Sequence, residues 1–256
     1  MPIAPTAEPY SADAAPDSRD GQRVGVLLVH GFTGSPASMV PWGRYLAEQG
    51  LGVSVPRLPG HGTSWQELNR TRWADWYGEV ERAFEKLSAN HDQVVVGGLS
   101  MGGGLALRLA ADGGREVAGV VLVNPALCTQ RKDVLALPVL KHLVPSLPGI
   151  ADDIKKPGVH EHGYSRTPLR AAHSMMQGWK ALREDLPRVT QPLLVFRSTE
   201  DHVVDPSSGE AIRGTVSSRD LSETMLENSY HVATLDHDAP ILFEESTLFI
   251  RRVTGP

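Results

Sequence analysis

The chain has 256 residues, 41% of them hydrophobic and 21% charged, with a formal net charge of −5 and a single cysteine, Cys128. That composition fits one large globular domain, or one domain carrying an insertion. It rules out an internal disulfide, gives no electrostatic case for a nucleic-acid partner, and contains no run near the roughly 20 apolar residues of a membrane span.

Residues 1–23 are expected to form a flexible segment. Up to Asp20 they are rich in Ala, Pro, Ser and Asp, without the basic and apolar regions of a secretory signal. Tyr10 is a candidate for a short edge strand. With the lone cysteine, this points to a cytoplasmic protein. Residues 24–29 read as a buried strand ending in His30-Gly31-Phe32-Thr33-Gly34. Ser35 and Pro36 then open a helix as N-cap and first-turn proline. Met39, Trp42, Leu46 and Ala47 form its apolar face, and Gly50 stops it. A strand over 52–55 follows, then the turn-rich loop Pro56-Arg57-Leu58-Pro59-Gly60-His61-Gly62. Trp73, Trp76, Tyr77, Val80, Phe84 and Leu87 fall at helical spacing and mark a long amphipathic helix.

Val94-Val95-Val96 is a β-branched run of the kind found in a buried strand, and Leu105–Ala111 is a strong helix former. Between them lies Gly98-Leu99-Ser100-Met101-Gly102, so a serine stands where a strand turns sharply into a helix. That context marks a nucleophile elbow. The turn needs glycine on both sides, because side chains at 98 or 102 would collide across it. Another buried strand is expected over 118–123. The alternation then lapses from Pro125 to about Pro187. Prolines at 138, 145, 148, 157 and 168 cut this stretch into short pieces with no convincing strand, so it reads as a cap inserted over about 125–187. A strand over 192–197, a helix near 208–216, a strand over 223–227 and a helix over 240–253 complete the chain. The alternation implies an α/β fold, with a mostly parallel sheet flanked by helices and ligands at the carboxyl ends of the strands.

A serine hydroxyl needs a base, and the base an orienting acid. The two late strands end in loops that offer both. Ser100 is assigned as nucleophile, His231 as general base and then acid, and Asp201 as the orienting carboxylate. Glu200 and Asp205 share the Asp201 loop. Asp201 is favoured because Val203-Val204 can anchor that loop, and Asp205 is the next choice. His237, between Asp236 and Asp238, reads as part of a capping cluster, while His30 and His61 read as braces for glycine-rich loops. The tetrahedral oxyanion needs donors, and the backbone N–H groups of Phe32 and Met101 are the candidates. Their side chains are then free to line an apolar acyl pocket and bind substrate, a reading favoured over plain core packing. No metal-ligand spacing occurs, and neither metal nor cofactor is expected.

The motifs at 30–34, 56–62 and 98–103, with Asn228-Ser229-Tyr230-His231-Val232-Ala233-Thr234-Leu235-Asp236, resemble the bacterial carboxylesterases and monoacylglycerol lipases of the α/β-hydrolase superfamily. The resemblance runs from about residue 24 to the C-terminus, and the first 23 residues match no motif. It implies an α/β-hydrolase fold with a cap and cofactor-free hydrolysis of carboxylic esters, monoacylglycerols or short- to medium-chain esters. It supports Asp201 over Asp205 and places Glu161 where cap carboxylates of such enzymes recognise glycerol hydroxyls. Read by itself, Glu161 is equally a solvated surface acid, and His160, His162 and Gly163 depart from the family pattern. A thioesterase or carbon–carbon bond hydrolase using the same triad, or a non-catalytic binding protein of this fold, are the rival expectations.

Overall fold

A computed structural model of the chain describes residues 3–15, 21–113 and 116–255. Its strands are β1 (Tyr10–Ala12), β2 (Val24–Val29), β3 (Gly52–Val55), β4 (Gln93–Leu99), β5 (Val117–Val123), β6 (Ser146–Pro148), β7 (Arg166–Pro168), β8 (Leu193–Ser198) and β9 (Leu221–Leu226). The α-helices are α1 (Val40–Glu48), α2 (Trp65–Leu68), α3 (Trp73–Ser88), α4 (Met101–Gly113), α5 (Leu137–Leu143), α6 (Leu169–Asp185), α7 (Ser207–Thr215) and α8 (Ala239–Thr254). Seven strands form one sheet in the order β1-β3-β2-β4-β5-β8-β9, parallel throughout except for the antiparallel edge pair β1–β3.

The central strands are apolar on both faces because helices cover both. Along β2, Leu27 and Val29 enter one core with Val94, Val96, Phe84 and Leu105, while Val26 and Leu28 enter the other with Trp42, Val95 and Phe249. This period-two division assigns α3 and α4 to one face and α1 and α8 to the opposite one. Helix α3 buries Trp76, Val80, Ala83, Phe84 and Leu87 along one stripe, as the helical spacing predicts. No helix among the described residues is long and apolar enough to cross a membrane.

Two expectations need correction. Residues 3–15 are docked rather than loose. β1 pairs Tyr10 with Val55, Ala7 and Ala14 are buried, and the Ala4 N–H donates to the Gly62 carbonyl at 2.9 Å. Residues 16–20 lie outside the described residues. In the inserted segment, β6 and β7 form a two-stranded antiparallel ribbon centred on Leu147↔Thr167, and α6 runs for 17 residues. The prolines mark starts here rather than breaks. Pro138 opens α5 and Pro168 stands just before the first residue of α6, positions where a missing N–H costs no helical hydrogen bond.

Candidate active site

β4 runs between β2 and β5 and delivers Ser100 at its carboxyl end. Ser100 has φ 56, in the left-handed region that non-glycine residues rarely occupy. Its environment fixes that conformation. The Ser100 N–H donates to the Val123 carbonyl at 3.0 Å, and its carbonyl accepts from Gly103 at 3.0 Å and Ala126 at 3.0 Å. A Cβ at Gly98 would strike the backbone of Gly102, and one at Gly102 would strike the backbone of Val29 and His30. Only glycine fits either flank, as the motif required. α4 starts at Met101, whose N–H, at the first helical position, has no intrahelical acceptor.

The loop after β2 passes against the elbow. A Cβ at Gly31 would lie 3.4 Å from Ser100 Cβ and 3.9 Å from its Oγ. Thr33, a β-branched residue, holds φ 65 in this loop, and its carbonyl accepts the Tyr164 N–H at 3.0 Å. His30 and His61 are buried beneath, with ring centroids 4.9 Å apart. His30 Nε2 accepts the Leu58 N–H at 3.2 Å, so its Nδ1 carries the proton and donates to the Gly31 carbonyl at 2.9 Å. Burial pushes His30 down to about 4, and holds His61 well below the usual histidine range. Both rings are therefore neutral braces, each set against the backbone of a glycine-rich loop.

His231 and Asp201 meet across the loops that follow β9 and β8. His231 Nδ1 stands 2.8 Å from Asp201 Oδ2, with the two side chains 8% and 10% exposed. Asp201 Oδ1 accepts the Val203 and Val204 N–H groups, each at 2.8 Å, so the loop's own backbone aims the carboxylate. Burial pushes Asp201 up, but the His231 charge and these hydrogen bonds outweigh it and leave the acid below its usual range. Burial pushes His231 down, and the charge and hydrogen bond of Asp201, with Glu161 and Asp153 behind them, carry it above the usual 6.5. Asp205 faces elsewhere. It bonds Ser207 at the start of α7, and accepts from the Gln130 N–H at 2.8 Å and Thr129 Oγ1 at 3.1 Å. Glu200 lies 3.4 Å from His202 Nε2, more than half exposed.

Ser100, His231, Gly31, Phe32 and Glu161 line one cavity of about 420 Å³. The inserted segment supplies its apolar wall, including Leu137, Leu140, Met175, Met176 and Trp179, and half-buried Cys128 faces it as well. The volume suits a small ligand with an apolar tail. Phe32 lines this cavity and packs on Trp76 at 5.7 Å between centroids. Met101 does not line it. Its side chain is fully buried in the core on the α3–α4 face. Glu161 borders the cavity. Burial pushes it up to about 7, with His231 and the Ser38 hydroxyl opposing and Asp152 adding to the rise.

The sequence reading missed several residues that hold this arrangement. Asn124, at φ 43 directly after β5, donates from Nδ2 to the His231 carbonyl at 2.8 Å and to Ser198 Oγ at 3.0 Å. An asparagine just past a strand, tolerant of the left-handed region, was the available signal. Asp153, in the inserted segment, accepts from the backbone of the loops that carry His231 and Asp201. Tyr164 Oη accepts the Thr63 N–H at 2.7 Å and donates to the Gly60 carbonyl at 3.0 Å. Asp236 and Asp238 do not cap α8 with their side chains. Asp236 accepts from the Tyr230 N–H at 2.9 Å and Lys155 N–H at 2.6 Å, and Asp238 from the Asn228 N–H at 2.8 Å. They pin the His231 loop, and the neighbouring His237 donates its N–H to Asp236 at 2.8 Å.

Comparison with known proteins identifies the family. Residues 21–238 match the family model Hydrolase_4, described as serine aminopeptidase, S33. The chain is 38% identical over 258 aligned residues to a thermostable monoacylglycerol lipase of Bacillus sp. (strain H-257), covering 99% of this chain and 98% of that protein. That alignment takes in nearly all of the first 23 residues, which had matched no motif. A carboxylesterase of Bacillus subtilis (strain 168) is 26% identical, over 89% of this chain and 92% of its own. Among solved structures, one reported for the metagenome-derived lipolytic enzymes LipS and LipT superposes with TM-score 0.92 at 39% identity, covering 98% of this chain and all of that one. A monoacylglycerol lipase of Paleococcus ferrophilus shares the fold at TM-score 0.77 and 19% identity, covering 96% of this chain and 100% of that one. The protein belongs to the Hydrolase_4 family of serine hydrolases and has the α/β-hydrolase fold.

Proposed function

We propose that this carboxylic ester hydrolase works through a triad of Ser100, His231 and Asp201, and that monoacylglycerols are its preferred natural substrates. The observation behind the proposal is the 2.8 Å His231–Asp201 contact beside a cavity that His231 and Ser100, the latter in a strained elbow, both line. Because Nδ1–H donates to Asp201, Nε2 is the ring nitrogen left to serve the serine. His231 takes the Ser100 proton as Oγ attacks the ester carbonyl carbon. The N–H groups of Phe32 and Met101 stabilise the resulting oxyanion. The intermediate collapses, the alcohol leaves with the proton from His231, and water then hydrolyses the acyl-enzyme by the same two steps. The acyl chain lies along the Met175–Trp179 wall beneath the cap over about 125–187. Glu161, which also lines the cavity, accepts hydrogen bonds from the glycerol hydroxyls. No step calls for a cofactor. The lone cysteine suits a reducing compartment, and we infer a cytoplasmic location.

A substrate panel tests the assignment. Monoacylglycerols should give the highest kcat/KM, p-nitrophenyl esters should be turned over, and acyl-CoA thioesters should be poor. A fluorophosphonate probe should label the wild type and not Ser100→Ala. Preference for acyl-CoA would move the activity to thioesters, and labelling that survives Ser100→Ala would remove the nucleophile.

A further inference from the structure

The Asp153 carboxylate bridges the two loops that carry the base and its acid. Oδ2 accepts the His231 N–H and the His202 N–H, each at 3.2 Å, and Oδ1 meets His202 Nδ1 at 2.7 Å. The Asp153 carbonyl accepts the Val232 N–H at 3.1 Å. Its side chain is only 9% exposed, although it belongs to the inserted segment and not to the sheet. From the other side, Asn124 Nδ2 holds the His231 carbonyl at 2.8 Å. Both backbone polar groups of His231 are therefore fixed by buried side chains, which sets the direction of its Cα–Cβ bond and hence the reach of Nε2. His202 is the chain neighbour of Asp201, so the same carboxylate sets the spacing between the base and the acid.

We propose that Asp153 is a positioning residue for catalysis, holding the His231 loop in register with the Asp201 loop through the backbone of His231 and His202. The proposal rests on the triad reading given above. Its reach follows from the sensitivity of proton transfer to placement, since a displacement of about 1 Å costs about 10²-fold in rate. The inserted segment is built for this task. Asp236 answers from the histidine loop, accepting the Lys155 N–H at 2.6 Å and the Lys156 N–H at 2.9 Å, so the turn carrying Asp153 is itself clamped. Asp153 also contributes charge. The carboxylates facing His231 are Asp201 from the acid loop and Glu161 and Asp153 from the inserted segment, while His202 is faced by Asp153 and Glu200.

The test is Asp153→Ala and Asp153→Asn in the full-length enzyme, with a short-chain p-nitrophenyl ester that does not reach the cap. Asp153→Ala should lower kcat by about 10- to 100-fold and leave KM within about threefold. Asp153→Asn keeps an oxygen for the two N–H groups and should restore kcat to within about threefold of wild type. Without the negative charge, however, the acid limb of kcat/KM should move to lower pH. A kcat for folded Asp153→Ala within twofold of wild type overturns the proposal. So does a loss confined to KM and Tm, or an acid limb that stays in place in Asp153→Asn. If Asp153→Ala does not fold, Asp153→Ser, too short to bridge the two loops, takes its place with the same kcat threshold. Ser100→Ala, run in parallel, separates the two ideas: activity persisting there removes the triad and this proposal with it, whereas a dead Ser100→Ala beside an unaffected Asp153→Ala removes only the positioning role.

Discussion

The Glu161 carboxylate occupies the space that a Cβ on Gly34 would need, with Oε1 in contact with that position and Cδ 3.2 Å from it. The absent side chain in the loop after β2 is thus what lets Glu161 of the inserted segment lie against that loop. Gly34→Ala should displace the end of a flexible side chain rather than any backbone, so the enzyme should fold. A hydrogen bond to a charged group is worth roughly 1.5–3 kcal/mol, or about 10- to 150-fold. Gly34→Ala should lower kcat/KM for a monoacylglycerol by about tenfold and leave a p-nitrophenyl ester of the same acyl chain within a few-fold. Glu161→Gln and Glu161→Ala should act in the same direction, up to the full range. Equal losses on both substrates would mean that Glu161 supports the cap and does not read the alcohol.

Glu161 also has a stability consequence. Its carboxyl is raised from 4.5 to about 7, so the folded state retains a proton that the unfolded chain releases. Between those values the folded state binds more protons, and stability falls as pH rises. Glu161→Gln, which resembles the protonated acid, should raise Tm above wild type at pH 8, with the difference closing as pH falls towards 5. Thermal unfolding across that range checks it. A variant less stable than wild type at pH 8 would show that the ionised carboxylate holds the fold together, the reverse of a site that gives up stability for function.

The two aspartates of the acid loop should separate cleanly. Asp201→Asn should cost about 10⁴ in kcat, because the wrong imidazole tautomer is then favoured. Asp205→Asn should leave kcat near wild type and lower Tm, since Asp205 bonds Ser207 and the Gln130 N–H and does not face His231. In the wild type, Asp201 raises His231, so the acid limb of kcat/KM should lie above 6.5. A larger kcat loss for Asp205→Asn would transfer the acid role to it.

The inserted segment should show two rates of hydrogen exchange. α5 rests on a small cluster of Leu137, Leu169 and Ala172, and it exposes Val139 and Leu143. Residues 152–164 are tied to the loops that carry Asp201 and His231, and to the glycine-rich loop before Thr63, by Asp153, Tyr164 and Asp236. Exchange without ligand should be fast over 137–143, slower over 152–156, and slowest in β4 and α4, because lids come from the weakly held parts of a fold. Uniform protection from 130 to 185 would remove the idea of a lid that opens.

Most of the sheet was legible because strands buried on both faces read as unbroken apolar runs, of which Val94-Val95-Val96 is the clearest. The elbow was legible because Gly98 and Gly102 leave room for backbone that no side chain could share. The residues that brace His231 were not. Asn124 and Asp153 act on His231 across 107 and 78 positions, and no local pattern announces a contact with another residue's backbone. β1 is three residues long, too short for an alternation to declare itself. α6 carried a readable period in Leu169, Ala172, Met176, Trp179 and Leu182, but the prolines before it suggested interruption where they only set its start. Met101 was misplaced for a related reason: the elbow pattern locates its N–H, while the helix rotation, which the pattern does not encode, sends its side chain into the core.

The inserted segment leaves the sheet after β5 and returns at β8, neighbouring strands whose ladder joins Val123 to Phe196. Its two ends are therefore stapled side by side by the scaffold itself, and the closure cost of a longer or shorter excursion rises only logarithmically with length. Such a gateway would let evolution exchange a pocket roof without disturbing the floor. The tethers at 152–164 divide that freedom. The stretch around α5 packs on the small cluster of Leu137, Leu169 and Ala172, whereas the stretch from Asp153 to Tyr164 is bonded to the loops that carry Asp201, His231 and Thr63. A chimera that grafts a foreign roof should take its seam between β6 and Asp152, and not at the borders of the whole insertion.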